Sequence, residues 1–148
     1  EQSQTNAVPC FWIDMALLFE RYVLGLLRSC YGEDVVYQFK GVIGERPDFL
    51  LHHGDEKLIL DTKYMENVVG KIDIIRQLSG YARDIAIQNK LGAAQDKVIS
   101  CVLIYPEYAG SGKVSSPSFA FDNSRSMLER CKKIQGFSEF YSLSVPVG

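Results

Sequence analysis

In the stretch RPDFLLHHGDEKLILDTKY, residues 46–64, two apolar runs are separated by the dipeptide Gly54-Asp55. A two-residue connection returns a strand tightly on itself, and glycine in its first place suits a type II′ turn, which needs a positive φ there. The turn sets the register, because a slip of one residue would move every side chain of a strand to the opposite face. With His53 paired to Glu56, counting outward sets Asp48 directly opposite Asp61. Side chains so opposed have Cβ atoms about 4.5–5.5 Å apart, and like charges at that separation are destabilising. The hairpin therefore carries a carboxylate pair that something must neutralise. Lys63 follows Asp61 by two residues and, with a side-chain period of two, lies on the same face.

Three arrangements relieve the repulsion: one carboxyl group keeps a proton, Lys63 bridges both, or a divalent cation binds between them. Carboxylate oxygens are ligands that Mg2+ favours, and this ion is typically held by one or two carboxylates and a substrate phosphate while it keeps several waters. An ammonium beside such an ion can stabilise charge developing on a phosphate, or assist in forming hydroxide. Asp48, Asp61 and Lys63 in this register are the pattern of a hydrolytic metal site; a salt-bridged hairpin end is the alternative.

The rest of the chain predicts helices on both sides of a sheet. Residues 11–28, FWIDMALLFERYVLGLLR, carry Met15, Leu18, Phe19, Tyr22 and Leu26 at helical spacing, with Asp14 as N-cap. Leu17, Val23, Leu24 and Leu27 widen that face until Arg21, Gly25 and Arg28 remain as a narrow polar strip, which predicts a largely buried helix. Glu20 falls inside the apolar arc and needs a partner there. VVYQFK, residues 35–40, has the composition of a strand, GVIGERP that of a loop, and the hairpin supplies two more strands. A second helix is predicted over residues 73–89, and KVISCVLIYP is a strand apolar on both faces that Pro106 stops. EYAGSGKVSSPS reads as a mobile loop, SRSMLERCKKI as a short third helix and FSEFYSLSV as a last strand. Strands apolar on both faces require cover on each, so the expected fold is α/β, a small mixed sheet flanked by helices.

At 148 residues with 47% hydrophobic content, the chain is long enough for one domain with a real core, expected over residues 11–106 with the last helix and strand in 107–148. The formal charge of -2 gives no global basic footprint, so contact with nucleic acid has to come from a local patch or a partner. Cys10, Cys30, Cys101 and Cys131 lie far apart without the paired spacing of zinc or redox motifs, as free thiols in a reducing cytosol do. No apolar run approaches the ~20 residues of a membrane span, and the start lacks a secretory pattern. The expectation is a cytoplasmic protein without membrane contact, and the start without Met suggests a piece cut from a longer chain.

In the second predicted helix Ile74, Leu78, Tyr81, Ala82 and Ile85 form an apolar stripe, with Gln77 on its margin one turn before Tyr81. His52 and His53, adjacent in a strand, point to opposite faces and cannot easily share a metal. Lys71, Arg76, Arg83, Arg130, Lys132 and Lys133 read as solvated basic residues. GSGK, residues 110–113, lacks the full phosphate-loop pattern, since Val114 follows the lysine.

With RPDFLL, LILDTKY and QLSGY in this order behind a helix containing LFERYV, residues 11–106 resemble the PD-(D/E)xK nuclease superfamily. Within it they are most similar to the McrC family, the nuclease subunits of restriction systems that cut DNA bearing modified cytosine. The resemblance implies a restriction-endonuclease-like αβββαβ core and a metal-dependent endodeoxyribonuclease. Carried over position by position, it makes Asp48 and Asp61 ligands of Mg2+, for which Mn2+ can substitute, and adds the main-chain carbonyl of Thr62. Lys63 becomes the catalytic lysine, and Glu20 takes the place of a first-helix acid that completes the metal site. Gln77 and Tyr81 match the QxxxY element of RecB-like relatives, which orients the lysine or the DNA backbone. The partners implied are DNA and an AAA+ GTPase of the McrB type that recognises the modified base. A RecB-like repair nuclease and a non-cleaving DNA-binding or assembly module of the same fold are the alternatives; the intact Asp48, Asp61 and Lys63 set favours cleavage.

Overall fold

The hairpin forms in the register that its turn dictates. Strand β2 (Phe49–His53) runs antiparallel to β3 (Glu56–Thr62), from Phe49 opposite Leu60 to His53 opposite Glu56. Gly54 has φ +60 while Asp55 keeps a negative φ, the combination of a type II′ turn. This computed structural model describes residues 13–42, 44–66, 68–94, 97–107 and 119–147. Around the hairpin, β1 (Val35–Tyr37) adds antiparallel to β2, and β4 (Ser100–Pro106) adds parallel to β3. Beyond β4 comes β6 (Phe140–Val145), parallel to it, and β5 (Lys132–Lys133) closes that edge antiparallel to β6. The described residues thus form a mixed, open six-stranded sheet in the order β1-β2-β3-β4-β6-β5.

Alternation along the strands builds two cores. Phe49, Leu51, Leu58, Leu60, Val102 and Ile104 pack on one face against helix α1 (Met15–Tyr31) through Phe19, Val23 and Leu27. Leu50, Ile59, Cys101 and Leu103 pack on the other against α2 (Ile72–Ala82) and α3 (Ile85–Leu91) through Ile75, Leu78, Ile87 and Leu91. The α/β architecture expected from strands apolar on both faces is what the chain adopts. Among the described residues no helix is long and apolar enough to cross a membrane.

Five local expectations are corrected. Helix α1 starts behind Asp14, whose side chain accepts the Leu17 amide at 3.1 Å, but its buried face is the single stripe Phe19, Val23, Leu27 and Tyr31. Met15, Leu17, Leu18 and Tyr22 are exposed, because α1 rests on one sheet face with no described layer above it. Strand β1 ends at Tyr37, three residues early, because Gln38 turns to φ +53. The helix predicted over residues 73–89 is two helices: Asp84 leaves helical geometry and its Oδ1 accepts the Ala86 and Ile87 amides at 2.9 and 3.2 Å, starting α3 anew. Ile85 is exposed as a consequence.

SRSMLERCKKI forms a four-residue 3-10 turn, Met127–Arg130, and then strand β5. The Glu56 carboxylate accepts from Ser126 Oγ and from the Met127 and Leu128 amides at 2.6, 2.9 and 3.2 Å, pinning this turn to the hairpin, and Lys132 and Lys133 pair with β6 rather than continuing it. The last strand begins at Phe140, later than FSEFYSLSV suggested. Cys30, Cys101 and Cys131 are free thiols. Cys10, the body of the Gly- and Ser-rich loop and GSGK lie outside the described residues.

Candidate active site

Asp48 stands one residue before β2, and Asp61 is the penultimate residue of β3. The paired register ends at Phe49 opposite Leu60, and the two acids meet one residue beyond it: the Asp48 amide donates to Asp61 Oδ1 at 3.2 Å, and the Asp48 carbonyl accepts from the Gln38 amide at 2.9 Å. Thr62 adds two donors to one carboxylate oxygen, its amide at 2.7 Å and its hydroxyl at 2.6 Å from Asp48 Oδ2. Past the strand end the Lys63 amide still donates to the Ile104 carbonyl of β4, 2.9 Å away. The acids thus sit at the carboxyl end of the parallel β3–β4 pair, where open α/β sheets commonly bind ligands.

Asp61 is almost wholly enclosed, with 3% of its surface exposed. The Lys63 amine lies 3.2 Å from its Oδ2 as an ion pair, and no other donor among the described residues meets this buried oxygen. Burial pushes the Asp61 carboxyl above its ordinary range, against the opposing Lys63 charge. Asp48 is pushed up to about 8, first by burial and then by the facing Asp61 charge, with the Thr62 bonds pulling the other way. Burial and the facing charges thus favour a proton held within the pair, while the Lys63 amine stands against Asp61 alone and does not bridge the two.

Glu20, on α1, completes an acidic group and raises both aspartates. Its Oε2 accepts from the Tyr37 hydroxyl and, at 3.2 Å, from Gln38 Nε2, which supplies the partner that its apolar surroundings demanded. On the α2 side, Gln77 and Tyr81 line a groove of about 390 Å3 together with Asp48, Gln38, Glu45 and Arg46. The Tyr81 phenol, pushed up to about 12 by burial and the nearby charges of Asp61, Glu45 and Asp48, stays protonated and donates to the Arg46 carbonyl at 3.3 Å.

All the residues singled out for catalysis or metal binding therefore meet at one end of the sheet: Glu20, Asp48, Asp61, Thr62, Lys63, Gln77 and Tyr81. Thr62 acts there through its amide and hydroxyl. His52 and His53 sit elsewhere, His53 at 2.9 Å from Asp34, and Lys71, Arg76 and Arg83 are exposed on and beside α2. Arg130 is held by Asp122 and the Ala120 carbonyl. Tyr37 and Gln38 are site residues that sequence reasoning missed, since nothing in VVYQFK marks the turn at Gln38. The Thr62 hydroxyl had a signal: a small hydroxyl residue between two charged ones at a strand end.

Among the described residues, no three His, Cys, Asp or Glu side chains form a group that could hold a metal ion. The acidic set is a facing pair, Asp48 and Asp61, with Glu20 beside it. Such a pair fits Mg2+, which takes its remaining ligands from water and phosphate, and Asp61 Oδ2, met among the described residues by the Lys63 amine alone, is an oxygen with capacity to spare. Compared with known proteins, the chain matches no protein-family model, no curated protein and no solved structure.

Proposed function

We propose that this chain is a Mg2+-dependent DNA endonuclease domain of the PD-(D/E)xK type, with an McrC-like role beside a base-recognising GTPase of the McrB type. The observation that carries the reading is the base of the hairpin: two facing carboxylates, one of them almost wholly buried, and an amine 3.2 Å from its buried oxygen. The element order α1-β1-β2-β3-α2-α3-β4 supports a restriction-endonuclease-like core, with its helical crossover divided in two.

Asp48 and Asp61 would hold the ion, which when bound supplies positive charge to the phosphate and lowers the pKa of attacking water. An ion held there would favour the ionised form of both carboxyl groups and offset the opposition of their charges. Thr62, through two donors on Asp48 Oδ2, fixes the direction in which that carboxylate presents its other oxygen. Lys63 is anchored at its backbone by Ile104 and at its amine by Asp61, so its charge stays beside the position where a phosphate oxygen would become more negative. Gln77, exposed on the groove wall, and Tyr81, buried with its hydroxyl committed to Arg46, bound the channel by which a phosphodiester would approach. None of these groups reads a base, which suits a cutter whose recognition lies in a partner.

Plasmid nicking with Mg2+ or Mn2+ tests the proposal alongside calorimetry. Wild type is expected to bind the ion and cleave; Lys63→Ala is expected to bind it and not cleave; Asp61→Ala is expected to do neither. Ion binding by wild type with no cleavage in the presence of a McrB-type partner would replace the reading with a binding module.

A further inference from the structure

Strand β1 ends where Gln38 adopts φ +53, a conformation that residues with a Cβ seldom take. In extended chain, consecutive side chains point to opposite faces, so Tyr37 and Gln38 would diverge. Here they converge on one atom. The Tyr37 hydroxyl donates to Glu20 Oε2, Gln38 Nε2 donates to the same oxygen at 3.2 Å, and that amide lies 3.2 Å from the Tyr37 hydroxyl as well. The main-chain amide of Gln38 meanwhile donates to the Asp48 carbonyl at 2.9 Å. A single residue in a rare conformation thus ties the α1 acid to the main chain that carries the hairpin acid, and it lines the groove beside Asp48.

We propose that Gln38 is a positioning residue of the cation site: it fixes Glu20 beside the Asp48–Asp61 pair by holding one Glu20 oxygen with its side chain and the Asp48 carbonyl with its backbone. This rests on the reading of that pair as a Mg2+ site. With Oε2 committed to two donors, Glu20 does not offer a chelating pair, and it would reach an ion on Asp48 and Asp61 through water. That suits an ion that keeps much of its water. The unusual φ is then the means by which neighbouring side chains reach the same carboxylate.

The test is calorimetric titration of Mg2+ into the full chain as wild type, Gln38→Met, Glu20→Gln and the double variant. Methionine keeps the length of glutamine and removes its donor. Gln38→Met is expected to weaken binding about tenfold, the scale of lost outer-shell support, and to have no further effect once Glu20 is glutamine, because it acts through that residue. Gln38→Gly relieves the positive φ, so it is expected to melt no lower than wild type while showing the same loss of affinity, which separates positioning from folding. Wild-type affinity in Gln38→Met, or independent multiplying losses in the double variant, would overturn the inference and leave the metal site standing. A wild type that binds no Mg2+ would remove the site and this inference with it.

Discussion

Replacing Asp48 with asparagine isolates the electrostatics of the hairpin base. The native carboxyl is raised from 3.8 to about 8 by burial and by Asp61. Between those values the folded chain keeps a proton that the unfolded chain has released, so stability is highest at low pH and falls as pH rises, levelling off above the folded-state value. Each pH unit in that window removes up to about 1.4 kcal/mol, which sets an upper figure of about 4 kcal/mol between pH 5 and pH 8. Solvent reaching the half-buried group reduces this, and about 2 kcal/mol is the lower expectation. Asparagine keeps an oxygen able to accept both Thr62 bonds and puts an amide where the proton was, without a charge to titrate.

In chelator, wild type and Asp48→Asn should therefore separate progressively. At about 2–4 °C per kcal/mol for a chain of this size, the variant's advantage in melting temperature should grow by about 4–16 °C from pH 5 to pH 8. Added Mg2+ should raise the wild-type melting temperature, because an ion bound only by the folded state stabilises it, and should leave the variant unmoved. Parallel pH profiles for the two proteins, or equal stabilisation by Mg2+, would refute the claim that burial and the facing Asp61 charge hold a proton on Asp48.

Thr62→Val removes the hydroxyl donor at 2.6 Å and keeps the amide donor at 2.7 Å; since the hydroxyl bond pulls Asp48 down, its carbon-detected carboxyl titration should move above the wild-type midpoint, and an unchanged midpoint would show that the bond does not act on the ionised form. Asp84→Ala deletes both the cap of α3 and the 2.8 Å bond from the Val42 amide, so denaturant melts should show a loss of about 1–2 kcal/mol. Amide exchange in Asp84→Ala should quicken at Val42 as well as at Ala86 and Ile87; protection retained at Val42 would show that the loop preceding Asp48 is held by other contacts.

The hairpin was legible because its constraint is local and discrete: a two-residue turn permits one register, and the register alone opposes Asp48 to Asp61. The two cores were legible for a related reason, since runs such as LIL in β3 and VLI in β4 cannot be solvated on either face. What failed were judgements that depend on the third dimension. Leu17 and Leu18 have the composition of core residues, but a helix resting on one sheet face buries only one stripe, and nothing local says how many layers surround it. The break at Asp84 hid because the apolar period of 73–89 continues through it; the aspartate caps α3 while also reaching Val42, 42 residues earlier, and that second bond belongs to the tertiary structure.

The two ends of the hairpin show why the Asp48–Asp61 end is more than a stabilising feature. At the turn end, Glu56 has three donors and His53 has Asp34, so the polar groups there are satisfied within the chain. At the other end, the same strands oppose two carboxylates, bury Asp61 with one oxygen met by the Lys63 amine alone, raise Asp48 to about 8 and hold Gln38 at φ +53. A chain that satisfies a carboxylate so fully at one end of a hairpin has the means to do so at the other. Local rules broken together in one place mark functional sites rather than folding ones, and a cation is the ligand that would relieve the facing charges and the raised Asp48 at once.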